Sequence, residues 1–134
     1  MPYDVLISGA GPAGLCLASA LSGHGLSIAL VEQQPRPAVA EPAFDGREIA
    51  LTQTSAATLR RLGLWDRIHA AAPHALSPLR DAKVLNGASP FALTIGHGLT
   101  QRDELGWLVS NHLIRRAAWD VVQDSMARHH DIDM

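Results

Sequence analysis

Residues 9–14 read Gly9-Ala10-Gly11-Pro12-Ala13-Gly14, a G-x-G-x-x-G hexapeptide, and what flanks it decides the fold. Before it stands Tyr3-Asp4-Val5-Leu6-Ile7-Ser8, a short apolar run with β-branched residues of the kind that forms a buried parallel strand. After it, Ala13 to Leu21 is a run of good helix formers, with Gly11 at the cap and Pro12 at the first helical position, where a missing N–H is no loss. Gly23-His24-Gly25 stops that helix, and Ser27-Ile28-Ala29-Leu30-Val31 is a second apolar run of strand length. Strand, helix and strand within residues 3–32 give a right-handed βαβ unit with a parallel pair.

In that context each glycine has a task. Gly9 permits the tight turn, Gly11 lets backbone approach a diphosphate without a Cβ in the way, and Gly14 lets the helix pack close to the sheet. The helix mouth then offers N–H groups and a positive dipole end to phosphate. Glu32 closes the second strand 18 residues after Gly14, where its carboxylate can accept hydrogen bonds from ribose hydroxyls and would repel a 2′-phosphate. The ligand expected from these residues is FAD or NAD, and the loop does not choose between them.

The rest of the chain reads as follows. Gln33 to Gly46, with Pro35, Pro37 and Pro42, is expected to be a long loop. A helical segment spans 52–71, with Thr52 or Thr54 as cap, Gly63 as a break, and a second short helix through Trp65 and Ile68. Ala70 to Pro78 reads as a connection. Residues 79–95 form an antiparallel hairpin turning tightly at Asn86-Gly87. Leu105 to Val109 is one more strand. A helix over 111–129 follows, capped by Ser110 or Asn111, with Leu113, Ala117, Val121 and Val122 on one face. Asp131 to Met134 stand where another strand should begin, and no further parallel strands remain for the sheet. The fold class is therefore α/β: a Rossmann-like FAD/NAD(P)-binding βαβ unit with an incomplete parallel sheet and a small antiparallel hairpin.

Composition narrows the function. With 134 residues and 47% hydrophobic content the chain can bury a core, and a formal charge of −2 provides no basic field for nucleic acid. Cys16 is a single thiol in an apolar helical stretch, so no disulfide forms within the chain. No Lys or Arg precedes the first apolar run, and no stretch approaches the roughly 18 apolar residues of a membrane span. Both point to a cytoplasmic location, compatible with loose peripheral attachment to the inner membrane. His129-His130 have no third ligand at useful spacing, so no metal site is expected; they complement the negative helix end instead. Trp65, Trp107 and Trp119 read as packing residues, and Arg60, Arg61 and Arg116 as solvated helix charges. No Ser/His/Asp arrangement supports a nucleophile, and catalytic residues stay unassigned.

Several segments together carry a resemblance. Asp4 through Gly14, Phe44-Asp45-Gly46-Arg47-Glu48-Ile49-Ala50-Leu51, Leu62-Gly63-Leu64-Trp65-Asp66, and Leu105-Gly106-Trp107-Leu108-Val109-Ser110-Asn111 leading to Arg115 and Trp119 are similar to the FAD-dependent aromatic hydroxylases, in particular the ubiquinone-biosynthesis hydroxylases. The resemblance implies that Arg47 lies near FAD and that Arg115, with Asn111, reaches its phosphate region from a helix start. Guanidinium groups suit that use through bidentate, permanently charged contacts to phosphate oxygens. Without the resemblance both would read as surface arginines. Two positions depart from the family, which often has an acidic residue at Ser110 and an arginine at His112. Implied for a complete protein is a monooxygenase in which NAD(P)H reduces FAD and O₂ is used to hydroxylate an aromatic or quinone-precursor substrate, alongside partners in ubiquinone biosynthesis. Family members run more than twice this length, through a Gly-Asp motif and a substrate domain. The chain thus reads as an N-terminal part, residues 1–134, of an FAD-binding domain. The alternatives are an NAD-dependent dehydrogenase domain and a truncated, catalytically silent fragment.

Overall fold

The computed structural model describes residues 2–99 and 101–134. Strand β1 (Val5–Ser8) runs into helix α1 (Pro12–Leu21) and strand β2 (Ile28–Val31), and the two strands pair in parallel with Val5 opposite Ile28 and Ser8 opposite Val31. Gly23 and Gly25 turn the chain between α1 and β2 with φ of +79° and +77°, a region closed to most side chains.

The Pro-rich stretch that the sequence marks as a loop contains a short helix, α2 (Arg36–Ala40). Its prolines do not prevent it, because Pro35 is the cap and Pro37 lies in the first turn, where a missing N–H leaves no bond unmade. Val39 anchors it in the core at 2% exposure.

Strand β3 (Glu48–Thr52) follows, then α3 (Gln53–Arg61) and α4 (Leu64–Ala71). Thr52 caps α3 by accepting from the Ser55 N–H at 3.1 Å, and Gly63 separates the helices at φ +80°. Strand β4 (Leu76–Leu79) occupies part of what the sequence reads as connection. The hairpin is β5 (Asp81–Leu85) with β6 (Ala92–Gly96), joined through residues 86–91, so the reversal is wider than a two-residue turn at Asn86-Gly87. Pairing of Ala82 with Ile95 and Val84 with Leu93 makes one face of this ribbon wholly apolar. Strand β7 (Gly106–Ser110) leads into the long helix α5 (Asn111–His129), and strand β8 (Ile132–Asp133) ends the chain.

Two three-stranded sheets result. The first, in the order β1-β2-β8, is parallel; β8 pairs with β2, so the sheet has a third parallel strand where the sequence suggested none remained. The second, β3-β7-β4, is antiparallel. Gly106 sits opposite Thr52 there, and a Cβ on it would come within 2.0 Å of the Leu51 carbonyl oxygen.

Helix α5 joins the parts. Ile114, Ala117, Ala118, Trp119 and Val122 are buried, in one core with Leu15 and Ala18 of α1, Ile28 and Leu30 of β2, and Ile68 of α4. Leu113 and Val121 lie half-buried on its flanks. The far end of α5 is tied back by Asp131, which accepts from the Ser22 hydroxyl at 2.7 Å and from the Gly23 N–H at 2.6 Å. Arg60 is not simply solvated: its guanidinium lies 4.0 Å from the centroid of the Trp65 ring, which meets Trp107 edge to face.

Candidate functional site

The glycine loop sits at the carboxyl end of the parallel sheet, between β1 and α1. Gly9 has φ +100°, which a side chain would resist, and its N–H donates to the Val31 carbonyl at 2.7 Å, fastening the loop to the end of β2. A Cβ on Gly14 would stand 2.0 Å from the Gly9 carbonyl oxygen and 3.3 Å from Ile7 Cγ2. Only glycine lets the helix come this close. A Cβ on Gly11 would meet no protein atom within 4 Å, so the space before the helix mouth is open. Gly11 is the N-cap and brings no side chain to the first-turn N–H groups, which are left for a ligand. These residues fit a diphosphate.

Glu32, just past β2, is held on both carboxylate oxygens: Oε1 accepts from the Gln34 N–H at 2.8 Å and Oε2 from the Ala10 N–H at 2.7 Å. These two N–H donors, Gln34 first, hold its carboxyl below the usual carboxylate range, and the charge of Arg115 adds to the effect. The carboxylate is thus ionised, fixed beside the loop, and has lone pairs left for sugar hydroxyls.

Across from the loop lies the start of α5. The Asn111 N–H donates to the Arg47 carbonyl at 2.9 Å, and its side-chain amide donates to Asp45 Oδ2 at 2.7 Å. The same oxygen accepts from Arg47 Nε at 2.8 Å and Nη2 at 2.6 Å. Asn111 first and Arg47 second hold the Asp45 carboxyl well below its ordinary value. Asp45 therefore fixes the Arg47 side chain and ties the segment before β3 to the helix that carries Arg115. Next to this clamp, Ser110 Oγ lies 2.9 Å from His112 Nδ1, and the Phe44 ring meets the His112 ring edge to face.

Between the two sides is an open cleft of about 290 Å³. Gly11, Pro12 and Glu32 line one wall; Arg47, Asn111 and Arg115 line the other. Six residues chosen from the sequence thus meet at one place. Gly9, Ala13 and Gly14 do not line the cleft; Gly9 and Gly14 shape the turn behind it, and Ala13 lies in the first turn of α1. Three contributors were not chosen: Ala10 and Gln34, which act through backbone N–H groups, and Asp45. Asp45 stood in the Phe44–Leu51 segment, and its spacing to Arg47, which suits a local ion pair, was the available signal. A larger depression of about 420 Å³ lies at the opposite end of the strands, near Tyr3, Ser27 and Asp133, away from the glycine loop. Among the described residues no group of three or more His, Cys, Asp or Glu side chains is placed to hold a metal ion.

Known proteins are similar to this chain in sequence and in fold. The chain is 49% identical over 123 residues to the ubiquinone hydroxylase UbiM of Neisseria meningitidis, covering 89% of this chain and 26% of the relative. It is 29% identical over 128 residues to the 3-demethoxyubiquinol 3-hydroxylase of Escherichia coli, covering 91% of this chain and 30% of that protein. The chain therefore spans between a quarter and a third of the length of these relatives. Its fold superposes on the anhydrotetracycline hydroxylase OxyS of Streptomyces rimosus with a TM-score of 0.65 at 21% identity, over 93% of this chain and 23% of that one. Residues 2–126 match the FAD binding domain family, which selects FAD from the two dinucleotides the glycine loop allows, and the chain belongs to that family.

Proposed function

We propose that this chain grips FAD in the cleft between the glycine loop and the start of α5, as the cofactor-binding part of an NAD(P)H-dependent monooxygenase that hydroxylates a ubiquinone precursor. The observation that carries the reading is the convergence of a diphosphate-ready helix mouth, an ionised Glu32 and two arginines on one cleft. The names of the two ubiquinone-pathway relatives support the substrate class.

Each residue then has a task. First-turn N–H groups of α1 take the diphosphate, with Gly11 leaving room for it. Glu32 accepts from ribose hydroxyls. Arg115 forms no ion pair with a carboxylate among the described residues, so its guanidinium is available to phosphate oxygens. Arg47, half-neutralised by Asp45, is held by Asn111 along the cleft. Bound FAD would supply the redox chemistry, taking electrons from NAD(P)H and using O₂ to hydroxylate an electron-rich ring. Peripheral attachment to the inner membrane belongs to the same reading; no helix among the described residues is long and apolar enough to cross a membrane.

The test is separate titration of the chain with FAD and with NADH, followed by flavin fluorescence. Saturable FAD uptake that falls about tenfold in Arg115→Ala, as loss of one charge-assisted contact predicts, supports the proposal. Uptake of NADH without FAD refutes it. Formation of hydroxylated quinone precursor with NADH or NADPH, by a longer protein containing this chain, tests the reaction.

A further inference from the structure

Helix α2 is fastened to α5 through a thioether. The Met126 sulfur, on a half-buried residue of α5, accepts from Gln123 Nε2 at 3.3 Å and from Arg36 Nη2 at 3.7 Å. Arg36 is the first residue of α2, and its guanidinium lies 5.6 Å from the centroid of the buried Trp119 ring. No carboxylate forms an ion pair with Arg36 among the described residues. A thioether is a weak acceptor, so a permanent charge and a side-chain amide are both aimed at an atom that answers them poorly. Met134, the other described methionine, is half-buried too, but no N–H donates to its sulfur among the described residues.

We propose that Met126 is an oxidation site, whose sulfoxide oxygen is received by the Arg36 guanidinium and the Gln123 amide and so latches α2 onto α5. The oxidant is hydrogen peroxide. Its O–O bond breaks as a sulfur lone pair takes one oxygen to form S=O, and the other oxygen leaves as water; the sulfur loses two electrons and the peroxide gains them. The sulfoxide oxygen carries partial negative charge and accepts strongly where sulfur accepted weakly. Both donors end long side chains, which can draw back by the fraction of an ångström that the added oxygen needs. Methionine oxidation commonly disrupts packing, whereas here the new polar atom meets a cation that no carboxylate neutralises, so the contact strengthens. Cys16 competes poorly for peroxide, because burial pushes its thiol up and keeps it from the reactive thiolate form. The latch closes on the segment that joins Glu32 to Arg47, two residues on opposite walls of the cleft, and it needs no bound cofactor.

Treatment of the chain with hydrogen peroxide, read by peptide mass spectrometry and amide hydrogen exchange, tests this. Met126 is expected to gain one oxygen. The amides of Ala38, Val39 and Glu41, which bond to Pro35 and Pro37 carbonyls in α2, should then exchange about fivefold more slowly than before treatment. Met126→Leu, close in volume and unable to take oxygen, should show no slowing under the same treatment. Arg36→Ala, at an exposed position, should gain the oxygen without the slowing. A Met126 still reduced at a peroxide dose that converts Met134 overturns the oxidation site. Exchange in the oxidised parent that is unchanged or faster overturns the latch, as does equal slowing in Met126→Leu or in Arg36→Ala. Should Arg36→Ala fail to hold α2, the comparison of the parent with Met126→Leu still decides between these results.

Discussion

Replacing Gly14 by alanine puts the proposed grip on the diphosphate to its most direct test. The added methyl carbon would stand 2.0 Å from the Gly9 carbonyl oxygen, where contacts under 3.0 Å do not occur, so helix and loop must separate by at least about 1 Å. Neither side yields easily: the Gly9 N–H is bonded to Val31, and Leu15, one residue on, is fully buried. Overpacking of this kind costs about 1–3 kcal/mol, and the better helix propensity of alanine returns up to ~1 kcal/mol. A net loss of about 1–2 kcal/mol lowers the melting temperature by roughly 3–10 °C. Binding suffers more, because a 1 Å displacement of oriented donors can cost on the order of 100-fold. Gly11→Ala is the control. Its methyl meets no protein atom within 4 Å, so the melting temperature should stay within about 2 °C, yet the methyl would occupy the space that the proposal gives to the diphosphate, and FAD affinity should fall comparably. Thermal denaturation and a flavin-fluorescence titration read both quantities. If Gly14→Ala melts and binds like the parent, or Gly11→Ala binds FAD unimpaired, the assignment of tasks to these glycines is refuted.

Further outcomes follow from other contacts. Asp45→Ala removes the acceptor shared by Arg47 and Asn111 and should weaken FAD about tenfold by calorimetry with little change in helix content. Because the folded Asp45 carboxyl is held below its unfolded value, its stabilising contribution is complete above about pH 4 and disappears only as pH falls through the lower folded value. A carboxyl NMR titration should show Asp45 still ionised where exposed aspartates are half protonated; an ordinary titration would refute the clamp. Thr52→Ala loses the cap on the Ser55 N–H and should lower unfolding free energy by about 1 kcal/mol in urea. Leu15→Ala, at a site with no exposure, should cost about 2–5 kcal/mol in the same assay.

The βαβ unit was legible because its signals are local: two apolar runs, a glycine loop and a proline at a first helical turn all lie within residues 3–32. Helix α2 was hidden because prolines were read as breakers without regard to their place in a turn. Strand β3 was hidden because Glu48 to Thr52, although it alternates exposed and half-buried positions, is only five residues long and is completed by pairing with β7 about 60 residues away in sequence. Strand β8, only two residues long, carries no periodicity; it is defined by the neighbouring β2. The site divides in the same way. Gly11 and Glu32 were singled out from spacing alone and Arg47 and Arg115 only through a family likeness, and the fold brings all four to one cleft. Asp45, which brings Arg47 together with Asn111 66 residues later, shows its part only once the chain is folded.

The hook from Asp131 to Ser22 and Gly23 sets an order of events during synthesis. Its partners are 109 and 108 residues apart, so at roughly 5–20 residues per second the ribosome delivers the second about 5–20 s after the first. During that interval α1 and β2 can form, but the inner surface of Leu15, Ala18 and Ile28 waits for α5. The nascent amino-terminal unit is thus a sticky intermediate, and shielding by a chaperone should be needed longest at the end of the chain that is made first.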